Sequence, residues 1–229
     1  NPLLAESAIA ADHTVSFPQA RRFADFPISR TTVELLEKNG FTEMTPIQRA
    51  AIPHALAGRD VIGAAKTGSG KTLAYVLPLL TNLLGAPAQP RLRALILTPS
   101  KELCHQTEEV VKAMLGRGAG VTCLDVSTET SFTIQKSRVR TPNVVVATPS
   151  SLLQYLHKTG ASLVGLDILV MDEVDCMFAY GFKADCAKIA RLVPATTKRW
   201  MLSATINDAV EHIKRDLLRT PITIRMEDA

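Results

Sequence analysis

The sequence predicts an α/β fold in which helices cover both faces of a mostly parallel β-sheet. Short runs rich in Val, Ile and Leu recur along the chain, and amphipathic segments of helix length follow them. Gly, Pro, Ser and Thr mark the connections. Continuous apolar strands separated by helices are typical of parallel sheets that are buried on both faces. The predicted strands are 60–65, 93–100, 143–150, 167–173 and 199–205, with others near 121–126 and in 221–226, and the clearest predicted helices are 101–115 and 207–218.

Composition indicates one large domain. The chain has 229 residues, of which 46% are hydrophobic and 21% charged, enough to build a sizeable core. We expect a loose flank over 1–22, one domain over 23–229, and a surface loop over 84–92. The net charge of +4 is compatible with a polyanionic partner without requiring one.

The cysteines and the ends of the chain bear on its cellular compartment. None of the four cysteines has the C-x-x-C spacing of a zinc site, so we expect reduced thiols in an intracellular protein. The longest apolar run, LAYVLPLL, has eight residues and is too short for a membrane span. The chain starts without a basic leader and without methionine, so we interpret it as part of a longer protein.

The stretch AAKTGSGKT (64–72) follows a predicted strand and opens a predicted helix. In a phosphate-binding loop, backbone N–H groups and a helix N-terminus surround an anion, and glycines supply positive φ angles. Lys71 would contact the outer phosphates, and the Thr72 hydroxyl would bind Mg²⁺. Ala65 replaces the first glycine of the common pattern, but the strand–loop–helix context still favours nucleotide binding. The predicted nucleotide-binding residues of this loop are Ala65, Thr67, Gly68, Ser69, Gly70, Lys71 and Thr72.

The second motif, ILVMDEVD (168–175), delivers two carboxylates to the end of an apolar strand. Asp172 would hold Mg²⁺ through water, and Glu173 would orient and deprotonate an attacking water. An acidic pair after a strand is more often a helix cap. With a phosphate loop on the same sheet, however, it completes a site for nucleoside triphosphate hydrolysis.

AAKTGSGKT, DEVD and SAT (203–205), in this order, resemble the DEAD-box family of RNA-dependent ATPases, in which alanine is usual at the position of Ala65. The resemblance implies the N-terminal RecA-like domain of an RNA helicase that uses ATP or ADP with Mg²⁺. It also implies catalytic roles for Lys71, Asp172, Glu173, Ser203 and Thr205. Asp175, Ser203 and Thr205 would couple the nucleotide state to RNA binding.

GFTEMTPIQ (40–48) resembles the adenine-recognition segment of that family, in which Thr45 and Gln48 would take part. The Gln48 amide could pair with the adenine edge, and Phe23 would pack on the ring. Taken alone, Gln48 would be a surface residue and Phe23 a core aromatic residue. Their joint spacing favours the functional interpretation.

Two further loops, TPSKELC (98–104) and ATPSSLL (147–153), resemble segments that contact the RNA sugar–phosphate backbone. Lys101 stands where the family has arginine, and Ser150 and Ser151 stand where it has Gly-Arg. The family's glycine pair is missing from 121–132. These departures predict weakened RNA binding through Pro99, Ser100, Lys101, Glu102, Thr148, Pro149 and Ser150.

The resemblance ends after Thr205, so we expect a C-terminal RecA-like domain as a partner and little activity from this half alone. The aromatic run from Phe178 to Phe182 is similar to a nucleolar subfamily that acts in large-ribosomal-subunit assembly. This implies a nuclear or nucleolar location, with the cytoplasm as the alternative; neither a membrane nor an oligomer is expected. Two other functions remain open: an ATP-dependent clamp on RNA or protein, and a small-molecule kinase, which would not explain Phe23, Gln48 and the acidic motif together.

Overall fold

A seven-stranded sheet in the order β3-β4-β2-β5-β6-β1-β7 forms the centre of the fold, and all its strand pairs are parallel. The structure is a computed structural model that describes residues 21–87, 89–116, 118–128 and 141–226. The strands are β1 (Val61–Ala64), β2 (Ala94–Leu97), β3 (Cys123–Asp125), β4 (Val144–Ala147), β5 (Ile168–Met171), β6 (Lys198–Ser203) and β7 (Ile222–Arg225).

The helices of the described ranges cover both faces of the sheet. They are a 3-10 helix (Phe23–Asp25), α1 (Arg30–Lys38), α2 (Pro46–Leu56), α3 (Lys71–Leu84), α4 (Lys101–Leu115), α5 (Pro149–Thr159), α6 (Val174–Ala179), α7 (Lys183–Leu192) and α8 (Asp208–Leu217). The side chains of Ser29, Ser100, Thr148 and Asn207 cap the first turns of α1, α4, α5 and α8. These caps begin the helices directly after the strands or loops that precede them.

Two hydrophobic cores lie on the two faces of the sheet. Ala94 and Ile96 of β2 belong to the core under α1 to α4, whereas Leu95 and Leu97 belong to the core under α5 to α8. Successive side chains of a strand point to opposite faces, so the apolar run of β2 is buried on both sides. The predicted two-sided parallel α/β fold is confirmed.

The predicted strands are present but end earlier than predicted. Residue 65 and the segments 98–100, 172–173 and 204–205 lie in loops after β1, β2, β5 and β6. After β4, Thr148 lies in the loop, and Pro149 and Ser150 are the first residues of α5. Composition did not mark these ends, because several loop residues, such as Ala65 and Thr98, are as buried as the strands themselves. The helix predicted over 101–115 has those bounds, and that predicted over 207–218 spans Asp208–Leu217.

The predicted surface loop over 84–92 is wrong at both ends. Leu84 is the last residue of α3, and Leu92 is only 4% exposed. The buried Arg93 beside it donates to Asp167 (2.8 Å) and to the Leu83 carbonyl (3.0 Å), which holds the end of this segment against the sheet. Most of the flank predicted over 1–22 lies outside the described residues, and within it Arg22 forms an isolated bridge with Glu43.

In the part of the chain that the structure describes, no helix has the length together with the apolar character that crossing a bilayer demands.

Asp60 links three strands by hydrogen bonds at the amino-terminal edge of the sheet. It is 6% exposed, and its two oxygens accept hydrogen bonds from the backbone amides of Arg199 and Arg219, each at 2.9 Å. The Asp60 carbonyl accepts a further bond from the Ile222 amide at 2.9 Å. One residue thus joins the starts of β1, β6 and β7.

We expect the substitution Asp60→Ala to lower the free energy of unfolding by roughly 3 kcal/mol, because two buried amides lose a charged acceptor. Asp216→Ala, on the exposed surface of α8, is the matched control and should change it by about 0.5 kcal/mol or less. Urea denaturation of both variants measures the difference. Equal midpoints for the two variants would contradict the role of Asp60.

Candidate nucleotide-binding site

The loops after β5, β6 and β1 lie side by side at the carboxyl edge of the sheet, because these three strands are neighbours. A cavity of about 330 Å³ opens at this edge. Its walls combine residues of the predicted phosphate loop with both carboxylates of the acidic motif, namely Thr67, Gly68, Gly70, Lys71, Thr72, Asp172 and Glu173. The structure therefore brings together the two motifs that the sequence analysis paired.

The phosphate loop has the backbone that its glycines predict. Gly68 and Gly70 have φ angles of 80° and 92°, in the region that favours glycine. Ala65 is not among the described residues with positive φ, and its amide donates to the Ser203 carbonyl at 3.1 Å. Alanine therefore fits this position without strain. The buried Lys71 ammonium donates to the Ala65 carbonyl at 2.6 Å, at the base of the loop.

Gln48 contacts the phosphate loop directly. Its Nε2 donates to the Gly70 carbonyl at 3.0 Å, and its Oε1 accepts from the Thr45 amide at 2.9 Å. A Cβ on Gly70 would lie 2.5 Å from Gln48 Nε2 and 2.9 Å from Thr45 Oγ1. Gln48 is 2% exposed, so it is a buried link between α2 and the loop rather than a surface residue. Adenine recognition by Thr45 and Gln48 stays a prediction.

Phe23 packs in the main core and is 2% exposed. The Arg21 carbonyl accepts from the Met44 amide at 2.9 Å, which places this segment beside the one that leads into α2. The predicted proximity of the two segments is therefore present. The ring occupies the position expected of a core aromatic residue, and its stacking on adenine stays a prediction.

The Asp172 carboxyl has an unusual environment. It is 8% exposed, and burial raises its pKa from 3.8 to about 6, although the Tyr75 hydroxyl and the Lys71 charge act in the opposite direction. Its Oδ1 accepts from the Glu173 amide at 2.9 Å. Keeping this carboxylate ionised inside the protein is costly unless cations or donors approach it.

The backbone of Glu173 has φ 51° and ψ 52°, the left-handed conformation, which is uncommon for a residue with a side chain. Glu173 is half-buried, lines the cavity and immediately precedes α6. Such local strain is concentrated at functional sites. Glu173 thus lies on the cavity wall, and its action on a water molecule stays a prediction.

Asp175 connects the acidic motif to the loop after β6. Its Oδ2 accepts hydrogen bonds from both the amide and the hydroxyl of Thr205, each at 3.0 Å. The Asp175 amide donates to the Ser203 hydroxyl oxygen at 3.4 Å. Burial alone would raise the pKa of Asp175, but the hydrogen bonds from Ser203 and Thr205 outweigh it, and the pKa lies below its usual value. The three residues predicted to couple this region form one hydrogen-bonded cluster.

Buried hydroxyl oxygens that make no hydrogen bond within the described part of the chain include Thr45 Oγ1 and Ser69 Oγ at the phosphate loop, Tyr75 Oη on α3 and Ser127 Oγ after β3. Buried polar atoms without partners are rare and point to a polar ligand or a functional role. Thr72 and Asp172 line the same cavity, and one hydroxyl plus one carboxylate is a donor set that suits Mg²⁺ bound together with phosphate oxygens. The residues present therefore fit a magnesium nucleotide.

The two predicted RNA loops lie at the ends of the adjacent strands β4 and β2. Ser100 Oγ accepts from the Leu103 amide at 3.2 Å, and Thr148 Oγ1 accepts from the Ser151 amide at 3.3 Å. Ser151 is itself buried and bonded to Thr148, so the residue at the family's arginine position belongs to the capping box of α5. Lys101 and Glu102 are exposed, Ser150 is half-buried, Pro149 is buried, and the buried Pro99 lines the nucleotide cavity.

The cysteines are free thiols, and Cys104, Cys123 and Cys186 are buried. Burial raises the pKa of Cys104 and of Cys186 to about 12 and that of Cys123 further, so these thiols do not ionise at neutral pH. Among the described residues, no group of three or more His, Cys, Asp or Glu side chains could hold a metal ion.

One wall of the cavity is formed by residues that the sequence motifs did not indicate. Leu103, Gln106, Thr107 and Val110 of α4 line it, together with Thr98 before that helix. Their spacing of three and four residues places them on one face of the helix. This periodicity was visible in the sequence, but the side of the sheet against which α4 packs was not.

A family model described as DEAD/DEAH box helicase matches residues 45–213, which include the phosphate loop, the acidic motif and Ser203–Thr205. The chain belongs to the DEAD/DEAH box helicase family. Its position in the family is illustrated by three curated helicases. The probable ATP-dependent RNA helicase DDX47 of Bos taurus is 38% identical over 219 residues, which cover 95% of the chain and 47% of that protein.

The ATP-dependent RNA helicase dbp9 of Aspergillus niger is 36% identical over 201 residues, covering 85% of the chain and 33% of that protein. The ATP-dependent rRNA helicase RRP3 of Meyerozyma guilliermondii is 35% identical over 221 residues, covering 96% of the chain and 46% of that protein. This DEAD-box chain thus spans about half the length, or less, of the curated relatives it matches.

Solved structures agree with the fold. A DEAD box protein from Methanococcus jannaschii superimposes with a TM-score of 0.84 at 24% identity, covering 90% of this chain and 56% of that one. A variant of S. cerevisiae dbp5 bound to gle1 and ip6 superimposes with a TM-score of 0.82 at 27% identity, covering 91% of this chain and 53% of that one. The DEAD-box chain therefore has the α/β fold of these helicase structures.

We expect Gly70→Ala to destabilise the nucleotide-free protein by roughly 1–3 kcal/mol more than Gly68→Ala. Both substitutions place a side chain at positive φ, at a similar cost of about 1–2 kcal/mol. Only Gly70 faces Gln48 and Thr45 at clashing distance, whereas a Cβ on Gly68 meets nothing within 4 Å. Urea denaturation compares the two variants. Equal losses of stability would show that the contact between the loop and α2 is not close.

Proposed function

We propose that the chain is the ATP-binding and ATP-hydrolysing half of an ATP-dependent RNA helicase. The observation that carries the proposal is the shared cavity, in which Lys71 and Thr72 from one strand end meet Asp172 and Glu173 from another. The printed names of the relatives, which describe ATP-dependent RNA helicases, support the same activity for the parent protein.

In the proposed mechanism the phosphate loop binds the ATP phosphates through its backbone amides and the N-terminus of α3. Lys71 exchanges its bond to the Ala65 carbonyl for a bond to the outer phosphates. Glu173 holds the attacking water and accepts its proton. Thr72 and Asp172 would hold Mg²⁺, which would supply positive charge at the phosphate oxygens.

The coupling to RNA is proposed to run through Asp175, Ser203 and Thr205. Ser203 bonds to the phosphate loop through its carbonyl and to the acidic motif through its hydroxyl, while Thr205 is exposed. A change of nucleotide at the phosphate loop would therefore be transmitted to the exposed Thr205 through Ser203 and Asp175, by covalent and hydrogen bonds. A C-terminal RecA-like domain of the parent chain would supply further RNA contacts and the arginines that stabilise the transition state.

We propose RNA as the second ligand, held by its backbone at the N-termini of α4 and α5 through residues 99–102 and 148–150. One relative is named an rRNA helicase, which supports a role in ribosome assembly and hence a nuclear or nucleolar location. The assignment to the large subunit stays a prediction.

One observation favours a second function, an ATP-dependent clamp on RNA or a protein partner. Ser151 stands where the family has arginine, and its side chain is bonded within the first turn of α5. Lys101 is therefore the one cation that the segments TPSKELC and ATPSSLL contribute. Weak backbone contacts at this edge would suit retention of a partner better than forceful strand separation.

We expect isothermal titration of the 229-residue chain with Mg·ADP or Mg·ATP to register weak binding. Lys71→Ala should weaken that binding at least about tenfold, because a charged hydrogen bond to phosphate is lost. Lys188→Ala, on the exposed surface of α7, is the matched control and should bind as the parent does. Absence of any heat for the unsubstituted chain would overturn the proposed function.

In the full-length parent protein, Glu173→Gln should retain ATP binding and lower turnover by about 10² to 10⁴-fold, as expected for a lost general base. Glu37→Gln, exposed on α1, controls for the change in charge. Turnover in a coupled phosphate-release assay is the measurement, and wild-type rates in the glutamine variant would remove Glu173 from this role. Assaying duplex separation beside RNA retention with the same proteins distinguishes helicase from clamp.

A further inference from the structure

The cavity at the carboxyl edge belongs to the phosphate end of the candidate nucleotide site. The phosphate loop and both carboxylates of the acidic motif line it, whereas the side chains that the resemblance links to adenine, Phe23, Thr45 and Gln48, lie outside its wall. The base would therefore be bound elsewhere. A triphosphate held at Lys71 and Thr72 would direct its last phosphate into this cavity.

The wall that closes the cavity beyond the phosphate loop is one face of α4. The strands β5 and β6 separate β2 from β1, so α4 and the phosphate loop approach the cavity from opposite sides. Leu103, Gln106, Thr107 and Val110 recur at spacings of three and four residues and share this face. Leu103 and Val110 are apolar, so the polar groups of α4 at the cavity come from Gln106 and Thr107.

Gln106 is the polar side chain of this wall that can reach a ligand. It is exposed and lines the cavity, so its amide is open to the space in front of the helix. Thr107 is only 4% exposed and has a short side chain. The Thr98 hydroxyl is already bonded to the Ser100 carbonyl at 3.3 Å and to the Cys104 sulfur at 3.0 Å.

A neutral amide suits the binding of a terminal phosphate beside two carboxylates. Its NH₂ group can donate two hydrogen bonds to phosphate oxygens, and its carbonyl oxygen can accept one from a water molecule. Gln106 and Glu173 line the same cavity, so a lysine in place of Gln106 would form an ion pair with the glutamate. An amide adds donors without neutralising the carboxylate that the proposed mechanism requires.

We propose that Gln106 is a specificity-determining residue whose side-chain amide donates to the terminal phosphate of a nucleoside triphosphate. The inference rests on the proposed function. A diphosphate ends at the phosphate loop and does not extend to the α4 wall. The contact therefore stabilises bound ATP and not bound ADP, and this difference in affinity is what distinguishes the two nucleotides at this wall.

Isothermal titration of the 229-residue chain with Mg·ADP and with the magnesium complex of β,γ-imido-ATP tests the proposal. In Gln106→Leu we expect the dissociation constant of the imido analogue to rise about tenfold, because one hydrogen bond to a charged group is lost. That of ADP should change less than about twofold. Gln106→Glu keeps the size of the side chain but introduces a negative charge, so it should weaken the imido analogue further. Gln154→Leu, exposed on α5, is the matched control and should bind both nucleotides as the parent does.

The two nucleotides separate a contact with the terminal phosphate from a general disturbance of the loop. Equal weakening of both in Gln106→Leu would overturn the proposal, as would unchanged affinity for both. So would a lack of measurable binding of the imido analogue to an unsubstituted chain that binds ADP. In each of these cases ADP binding leaves the proposed function standing. An unsubstituted chain that binds neither nucleotide would overturn the proposed function, and this inference with it. Since residue 106 is exposed, both variants should keep the urea midpoint of the parent.

Discussion

The position of β6 between β5 and β1 is the constraint on which the site depends. In a parallel sheet, neighbouring strands lie about 4.8 Å apart, so the ends of β5 and β1 are separated by one strand. Ser203 closes that separation: its carbonyl accepts from Ala65 in the phosphate loop, and its hydroxyl accepts from Asp175 in the acidic motif. The pairing of Ala64 with Ser203 and of Met171 with Met201 fixes this register over the length of the strands. Sheet packing thus sets the distance between the two halves of the site before any ligand arrives.

The same edge carries a second constraint, between α2 and the phosphate loop. Gln48 reaches the Gly70 carbonyl across 22 positions of the chain, and only a glycine leaves room for it. Movement of the loop around a nucleotide must therefore be accompanied by movement of Gln48 or by loss of its bond. The segment that the resemblance links to adenine is thus hydrogen-bonded to the predicted phosphate-binding loop. Recognition of the base and of the phosphates need not be independent events in such an arrangement.

The sequence was sufficient for the fold and for the phosphate loop, because both depend on local patterns. Apolar runs identify strands, and the glycines of the loop are needed at the positive φ angles that Gly68 and Gly70 adopt. It was insufficient for Gln48 and for Thr107, whose roles depend on which helices pack against the loop. It also gave no indication that Ser151 closes the cap of α5, since only the folded chain shows its bonds to Thr148. Long-range packing determines these contacts, and no local pattern encodes it.

The distribution of unfavourable features argues that the cavity at the carboxyl edge is functional. Two hydroxyls without partners at this edge, Ser69 and Tyr75, belong to α3 or the loop before it, and the strained Glu173 and the raised pKa of Asp172 are close by. A smaller cavity of about 10 Å³ in the core beneath α2 and α3 has mainly apolar walls, such as Ala51, Val61 and Leu202. Imperfect packing explains that cavity, because Tyr75 alone among its lining residues has a polar side-chain atom without a hydrogen-bond partner in the described part of the chain. At the carboxyl edge, backbone strain and buried polar groups without partners lower the stability of the fold and do not improve its packing. Proteins retain such features where a bound ligand or a reaction offsets the lost stability.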